Sequence, residues 1–203
     1  MKTILKDALI LFAITLVSGL LLGFIFDITK EPIEAANEKA TQEAYRQVFP
    51  EADVFEESQA LNDNVSSSEQ IIADLNLEGV LVDEAMEAKN TSGDTVGIVM
   101  KATSNNGYGG AITISLGVDN DGVLTGIKVL QMSETAGLGA KCQDEDFQNQ
   151  FSGIRADMVQ SVKTGAAQDN EIDAISGATF TTNAVTEAVN AGLAFAKYCR
   201  ANQ

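Results

Sequence analysis

Ala8 to Phe26 reads ALILFAITLVSGLLLGFIF, an apolar run that no formal charge interrupts. At helical rise it is long enough for a bilayer core of about 30 Å, which predicts a transmembrane helix over residues 8–26. The run exceeds the apolar part of an ordinary secretory signal, and no small-x-small cleavage site follows Phe26 directly. Pro32 suits the first turn of a new helix, where a missing N–H costs nothing. Ile33, Ala36, Ala40, Ala44 and Val48 then recur at helical spacing up to Pro50 and predict a juxtamembrane helix. Residues 51–70 hold Glu51, Asp53, Glu56, Glu57, Asp63 and Glu69 without a Lys or Arg, and read as a solvated connection with little regular structure.

Beyond residue 70 the period changes to two. Segments 79–88 and 94–103 predict strands around the turn Asn90-Thr91-Ser92-Gly93. Ile112, Ile114, Leu116 and Val118 alternate with small or polar residues, the pattern of a half-buried strand. Asp119-Asn120-Asp121-Gly122 predicts a turn, and residues 123–130 the returning strand. A helical patch follows near 141–151. A last helix is predicted over 184–199, with Val185, Ala188, Val189, Gly192, Leu193 and Ala196 on one side. The fold class is α+β: a transmembrane helix, then a domain with an antiparallel sheet and flanking helices. The predicted organisation is an anchor over 1–29, a juxtamembrane helix and acidic connection over 30–69, and a folded domain over 70–203.

Composition narrows the chemistry. The formal charge of -16 excludes nucleic acid as a partner, because so acidic a surface repels phosphate backbones. The chain contains no His, which removes Ser-His-Asp catalysis and His-ligated metals. Its two cysteines, Cys142 and Cys199, are too few for an ordinary iron–sulfur cluster, and sequence leaves open whether they pair. No catalytic residue and no metal site is expected, so redox chemistry would need an organic cofactor. Lys2 and Lys6 precede the span while Glu31 and Glu34 follow it, which predicts a cytoplasmic N-terminus and an extracytoplasmic domain.

One segment stands apart: Asp173-Ala174-Ile175-Ser176-Gly177-Ala178-Thr179, then Phe180-Thr181-Thr182-Asn183 and the last helix. Physically it is a small-residue turn entering a helix N-terminus, with Thr181, Thr182 and Asn183 as candidate N-caps. Such an end favours an anion such as phosphate. Read alone, the segment is more readily a Ser/Thr-rich cap beside a tight turn, since such caps are common.

The D-x-x-S-G-A-T pattern ending at Thr179 resembles the recognition motif of the FMN-binding domain family found in RnfG and NqrC subunits. Glu134-Thr135-Ala136-Gly137-Leu138-Gly139 is similar to that family's E-T-P-G-L-G loop, with Ala136 in place of the usual Pro and Ser133 where a His often precedes the Glu. Gly107-Tyr108-Gly109-Gly110 and the hairpin beside it fit the same pattern, and the resemblance covers nearly the whole chain. It implies FMN joined to Thr179 by a phosphoester bond that a separate flavin transferase makes. Asp173, Ser176, Gly177 and Ala178 would form the recognised turn, Thr181 would be a further cofactor-binding residue, and Glu134, Thr135, Gly137 and Leu138 would lie around the flavin.

The compact chain is more similar to RnfG than to NqrC. This implies a single-pass inner-membrane subunit that relays electrons in an ion-translocating ferredoxin:NAD oxidoreductase (Rnf) complex, a translocase whose other membrane subunits are its partners. Such a chain is not catalytic alone. Two other readings stay open: an NqrC-like subunit of a sodium-pumping quinone reductase, and a non-catalytic membrane-tethered binding domain. Cys142 is expected to be a buried thiol, and Tyr108 and Met132 to be core residues.

Overall fold

The computed structural model describes residues 2–75 and 77–202. The chain divides into two compact units, Met1–Ala40 and Thr41–Gln203. Helix α1 (Lys2–Val48) holds the apolar run, which is long and apolar enough to cross a membrane and lies wholly exposed. Its hydroxyls are satisfied locally: Thr15 donates to the Leu11 and Phe12 carbonyls, and Thr29 to the Ile25 carbonyl at 2.9 Å. Pro32 does not begin a new helix but lies inside α1. The helix continues because Pro deprives only the Ile28 carbonyl of its donor, while Lys30, Glu31, Glu34, Ala35 and Ala36 are helix formers.

Residues 51–70 are more ordered than their acidity suggests. They form β1 (Val54–Glu56) and α2 (Gln59–Ser66), and α3 (Ser68–Ile72) begins within them. The reason is Leu61, Ser68 and Ile72, which are buried, with Val65 and Ile71 packed beside the core. A sparse apolar stripe therefore docks these short helices while their acids face water.

Next come β2 (Val80–Lys89), β3 (Thr95–Ser104), β4 (Ile112–Asp119) and β5 (Leu124–Gln131), which agree with the alternating segments of the sequence. With β1 they form one antiparallel sheet in the order β1-β2-β3-β4-β5. The β4–β5 turn closes as expected, with Asp119 Oδ1 accepting the N–H groups of Asp121 and Val123 at 2.9 and 2.8 Å. The predicted helical patch is α4 (Glu145–Gln148) between two 3-10 turns, Gly139–Gln143 and Asn149–Phe151. A small parallel pair, β6 (Gln160–Val162) and β7 (Glu171–Asp173), precedes the last helix, α5 (Thr179–Ala201).

α5 covers one face of the sheet. Val185, Ala188, Val189 and Phe195 share one buried cluster with Met100, Ile114, Leu116 and Ile127 of the sheet. Gly192 lets the helix approach β4, since a Cβ there would strike the Leu116 side chain. The opposite face is covered too. Tyr45, Val48 and Phe49 are buried there with Ala52, Ala88 and Val99. Beneath the Phe49 ring the strands carry Gly97 and Gly117, where a Cβ would lie 2.6 Å from Phe49 Cε2 and 3.0 Å from Phe49 Cδ2 respectively. The Thr125 hydroxyl donates to the Val48 carbonyl. β4 is therefore buried on both faces at its centre rather than half-buried, and its outward residues Ser115 and Gly117 are small to admit this layer.

Cys142 and Cys199 are both buried free thiols. Burial first, then the charge of Glu134, pushes the Cys142 thiol up from an ordinary 9.0 to about 11. A raised folded value favours the neutral thiol, so this stabilisation is complete below about pH 9 and fades as pH rises towards about 11. Tyr45, raised by burial and by Glu84, acts in the same direction. Melting curves from about pH 8 upward should show a falling Tm with a shallower fall in Cys142→Ala. Equal slopes would exclude Cys142 as a contributor.

Candidate functional site

Three segments far apart in sequence meet at the N-terminus of α5 around a pocket of about 470 Å³. They are the turn before β4, the loop after β5, and the Gly177–Thr181 stretch. Glu134 ties them together. Its Oε1 accepts the Gly109 N–H at 2.9 Å, and its Oε2 accepts the Thr181 hydroxyl at 2.7 Å. Gly139 closes the joint, because a Cβ there would lie 2.5 Å from both Glu134 Oε2 and Thr181 Oγ1. Truncating Glu134 leaves a buried hydroxyl and a backbone N–H without their acceptor, a loss of about 2 kcal/mol. Glu134→Ala should thus lower Tm clearly, and Glu134→Gln, which keeps an acceptor, should lower it less. Equal melting of all three proteins would show that the carboxylate ties nothing.

The turn into α5 differs from the sequence expectation. The helix begins at Thr179, and the cap position is Ala178, which supplies no side-chain cap. Thr181, Thr182 and Asn183 are already helical, so none of them caps. Thr182 instead braces the turn from within, accepting the Ile175 N–H at 3.1 Å and donating to the Ala178 carbonyl at 3.0 Å. Gly177 takes a φ of +78°, a backbone conformation that glycine adopts without strain. The outcome is a helix end whose first N–H groups have no side-chain acceptor among the described residues, with no acidic residue in the first turn to compete for them. Thr179 is exposed on the pocket wall, and its hydroxyl has no hydrogen-bond partner among the described residues.

Of the residues singled out in the sequence, Glu134, Thr135, Leu138, Gly177, Ala178, Thr179 and Thr181 line the pocket. Asp173, Ser176 and Gly137 do not. Asp173 stands behind the turn at the end of β7, where its carboxylate accepts the Ala166 N–H at 2.9 Å and its own N–H donates to Gln150 Oε1 at 2.7 Å. Ser176 and Gly137 are exposed beside the pocket. Tyr108 is not a core residue: it is 75% exposed and lines the pocket with Phe180, which is 67% exposed. The sequence reading passes over Phe180, whose only signal there is a large aromatic between two threonines at a helix start. Met132 packs against the core as expected, and Cys142 is wholly buried outside the pocket.

A five-stranded antiparallel sheet backed by a long helix, with a largely apolar pocket at that helix's N-terminal end, makes an α+β domain with a cleft of ligand size. Residues 107–194 match the FMN-binding domain and residues 1–48 match the RnfG N-terminal region. The chain is 34% identical to the G subunit of the Na(+)-translocating ferredoxin:NAD(+) oxidoreductase complex of Acetobacterium woodii, over 93% of this chain and 89% of that one. It is 28% identical to the G subunit of the ion-translocating oxidoreductase complex of Methanosarcina acetivorans, over 95% and 94% of the two chains. The chain therefore belongs to the RnfG family, the G subunits of ion-translocating oxidoreductase complexes. Among solved structures it is similar to NqrC of Shewanella oneidensis, with a TM-score of 0.48 and 21% identity over 58% of this chain and 60% of that one.

Proposed function

We propose that this chain is the membrane-anchored flavoprotein subunit of an ion-translocating ferredoxin:NAD oxidoreductase, carrying FMN as a phosphoester on Thr179 and relaying electrons through it. The observation that carries the reading is the free Thr179 hydroxyl at the open end of α5, on the wall of a pocket large enough for a flavin. The residues fit the group. The first-turn N–H groups suit its phosphate, Tyr108, Leu138 and Phe180 offer apolar surface to a planar ring, and glycines at 139 and 177 keep the wall low. Bound FMN supplies electron exchange in pairs or singly.

The chain's own part is positioning. Glu134 and Thr181 hold the two loops against α5, and Thr182 fixes the turn that presents Thr179. Against the cap-only reading stands that its candidates Thr181, Thr182 and Asn183 are helical and that the cap position is Ala178. No carboxylate is hydrogen-bonded to the Thr179 hydroxyl among the described residues, so the reading assigns activation of that oxygen to a flavin transferase. The anchor is assigned to residues 1–29 and the flavin site to residues 70–203, with residues 41–69 belonging to the same compact unit as that site. The charge bias at the span favours a domain outside the cytoplasm, beside the other membrane subunits.

The experiment is co-expression of the full chain with a flavin transferase, followed by intact mass. Linkage forms one O–P bond at Thr179 as a pyrophosphate P–O bond of a flavin dinucleotide donor breaks, the nucleoside monophosphate leaving and the Thr179 proton passing to solvent, so the mass should rise by FMN less one water. An unchanged mass, with the transferase active on a control substrate, would overturn the covalent reading.

A further inference from the structure

A second pocket, of about 310 Å³, lies at the other end of α5 and collects cations on a chain whose net charge is -16. Arg155, Lys197 and Arg200 line it, together with Asp121 and Asp157. Among the described residues only Lys197 of these cations is in an ion pair, with Asp157 at 2.8 Å. Arg155 is exposed and has no hydrogen bond or ion pair among the described residues. Arg200 leaves the end of its own helix and lies over the β4–β5 turn, where its Nη1 donates to the Asn120 carbonyl at a long 3.4 Å. Its Nε is buried with no partner among the described residues. Gly122 makes this pose possible, since a Cβ there would strike the guanidinium.

A guanidinium offers five donors in a fixed plane, and leaving several unmet in a partly desolvated place is unfavourable. Two guanidinium groups facing one cavity match the two oxygens of a carboxylate. We propose that this pocket receives an acidic side chain of a neighbouring subunit, with Arg155 and Arg200 clasping the carboxylate. The mixed rim favours a carboxylate over a phosphate headgroup, because Asp121 and Asp157 would repel a second negative charge. The acidic chain as a whole also repels anionic lipid. For so acidic a domain, one cationic socket fixes the docking orientation, as charge complementarity does in other complexes. The proposal rests on the reading of this chain as one subunit of a larger complex.

The test isolates the complex through a different subunit and measures how much of this chain it retains, at rising salt. Wild type is compared with Arg155→Glu/Arg200→Glu and with Arg155→Lys/Arg200→Lys. Retention of the double Glu chain should fall about tenfold, with the double Lys chain in between. Intact mass and melting of each variant report the fold. Should the double Glu chain melt early, Arg155→Gln takes its place, because Arg155 supports nothing within the described chain. Retention equal to wild type at every salt concentration would overturn the proposal. So would unchanged retention with less anionic phospholipid in the purified complex, which would make the socket a headgroup site. If wild type itself is not retained, the subunit reading has failed instead.

Discussion

Thr179→Ala is expected to carry no covalent flavin at all, while folding as the wild type does. The reason is local. Thr179 is the first residue of α5, exposed, with a hydroxyl that bonds to nothing among the described residues. Its removal therefore takes away a reactive oxygen and no structural bond, and the stability change should stay within about 0.5 kcal/mol. Thr179→Ser keeps the oxygen and should still be labelled. Fluorescence on a denaturing gel, beside intact mass and a melting curve, reads both outcomes. The neighbouring hydroxyls are poor substitutes: Thr181 is 1% exposed and bonded to Glu134, and Thr182 is wholly buried. Flavin persisting on the Ala variant would mean that another hydroxyl, with Ser176 the first to test, is the attachment point.

The largest expected loss of stability lies on the other face of the sheet. Phe49 is 1% exposed, with its ring above Gly97 and Gly117. Phe49→Ala should cost about 3–5 kcal/mol, the range for emptying a large buried aromatic site. For a domain of this size that is a fall in Tm of about 10 °C. Gly117→Val should do comparable damage by the opposite route, driving a branched side chain into Phe49 and Thr125. Melting the full chain in detergent would measure both. A Tm within about 2 °C of wild type for both variants would show that this layer is not part of the folded unit.

Much of the architecture could be read directly from the chain. β2 to β5 follow the alternation of apolar and polar positions, and the Asp119–Gly122 turn follows its turn chemistry. What escaped had a physical cause in each case. α2 and α3 were hidden because a few apolar residues, Leu61 and Ile72 among them, are enough to dock short helices that are otherwise acidic. Pro32 misled because one missing N–H does not end a helix with strong formers on both sides. The burial of both faces of β4 was not visible in its own pattern, since the covering layer comes from residues 45–49, outside the sheet. At the site, the motif pointed to Thr179 and Glu134. It could not show that Ala178 takes the cap position, or that Tyr108 and Phe180 face the pocket, because these depend on how loops distant in sequence meet.

The seat of Phe49 on two glycines also bears on how this chain is inherited and recombined. The N-terminal family region runs to residue 48, yet the compact unit begins at Thr41, and Tyr45 and Val48 belong to its core. The last turns of α1 with Phe49 and the glycines of β3 and β4 are therefore one matched surface within the same compact unit. A chimaera joined at residue 40 would exchange anchors between relatives and keep this match intact. One joined at residue 48 would keep Phe49 on its glycines but replace Tyr45 and Val48 beside it, so the junction would cut through a single buried cluster.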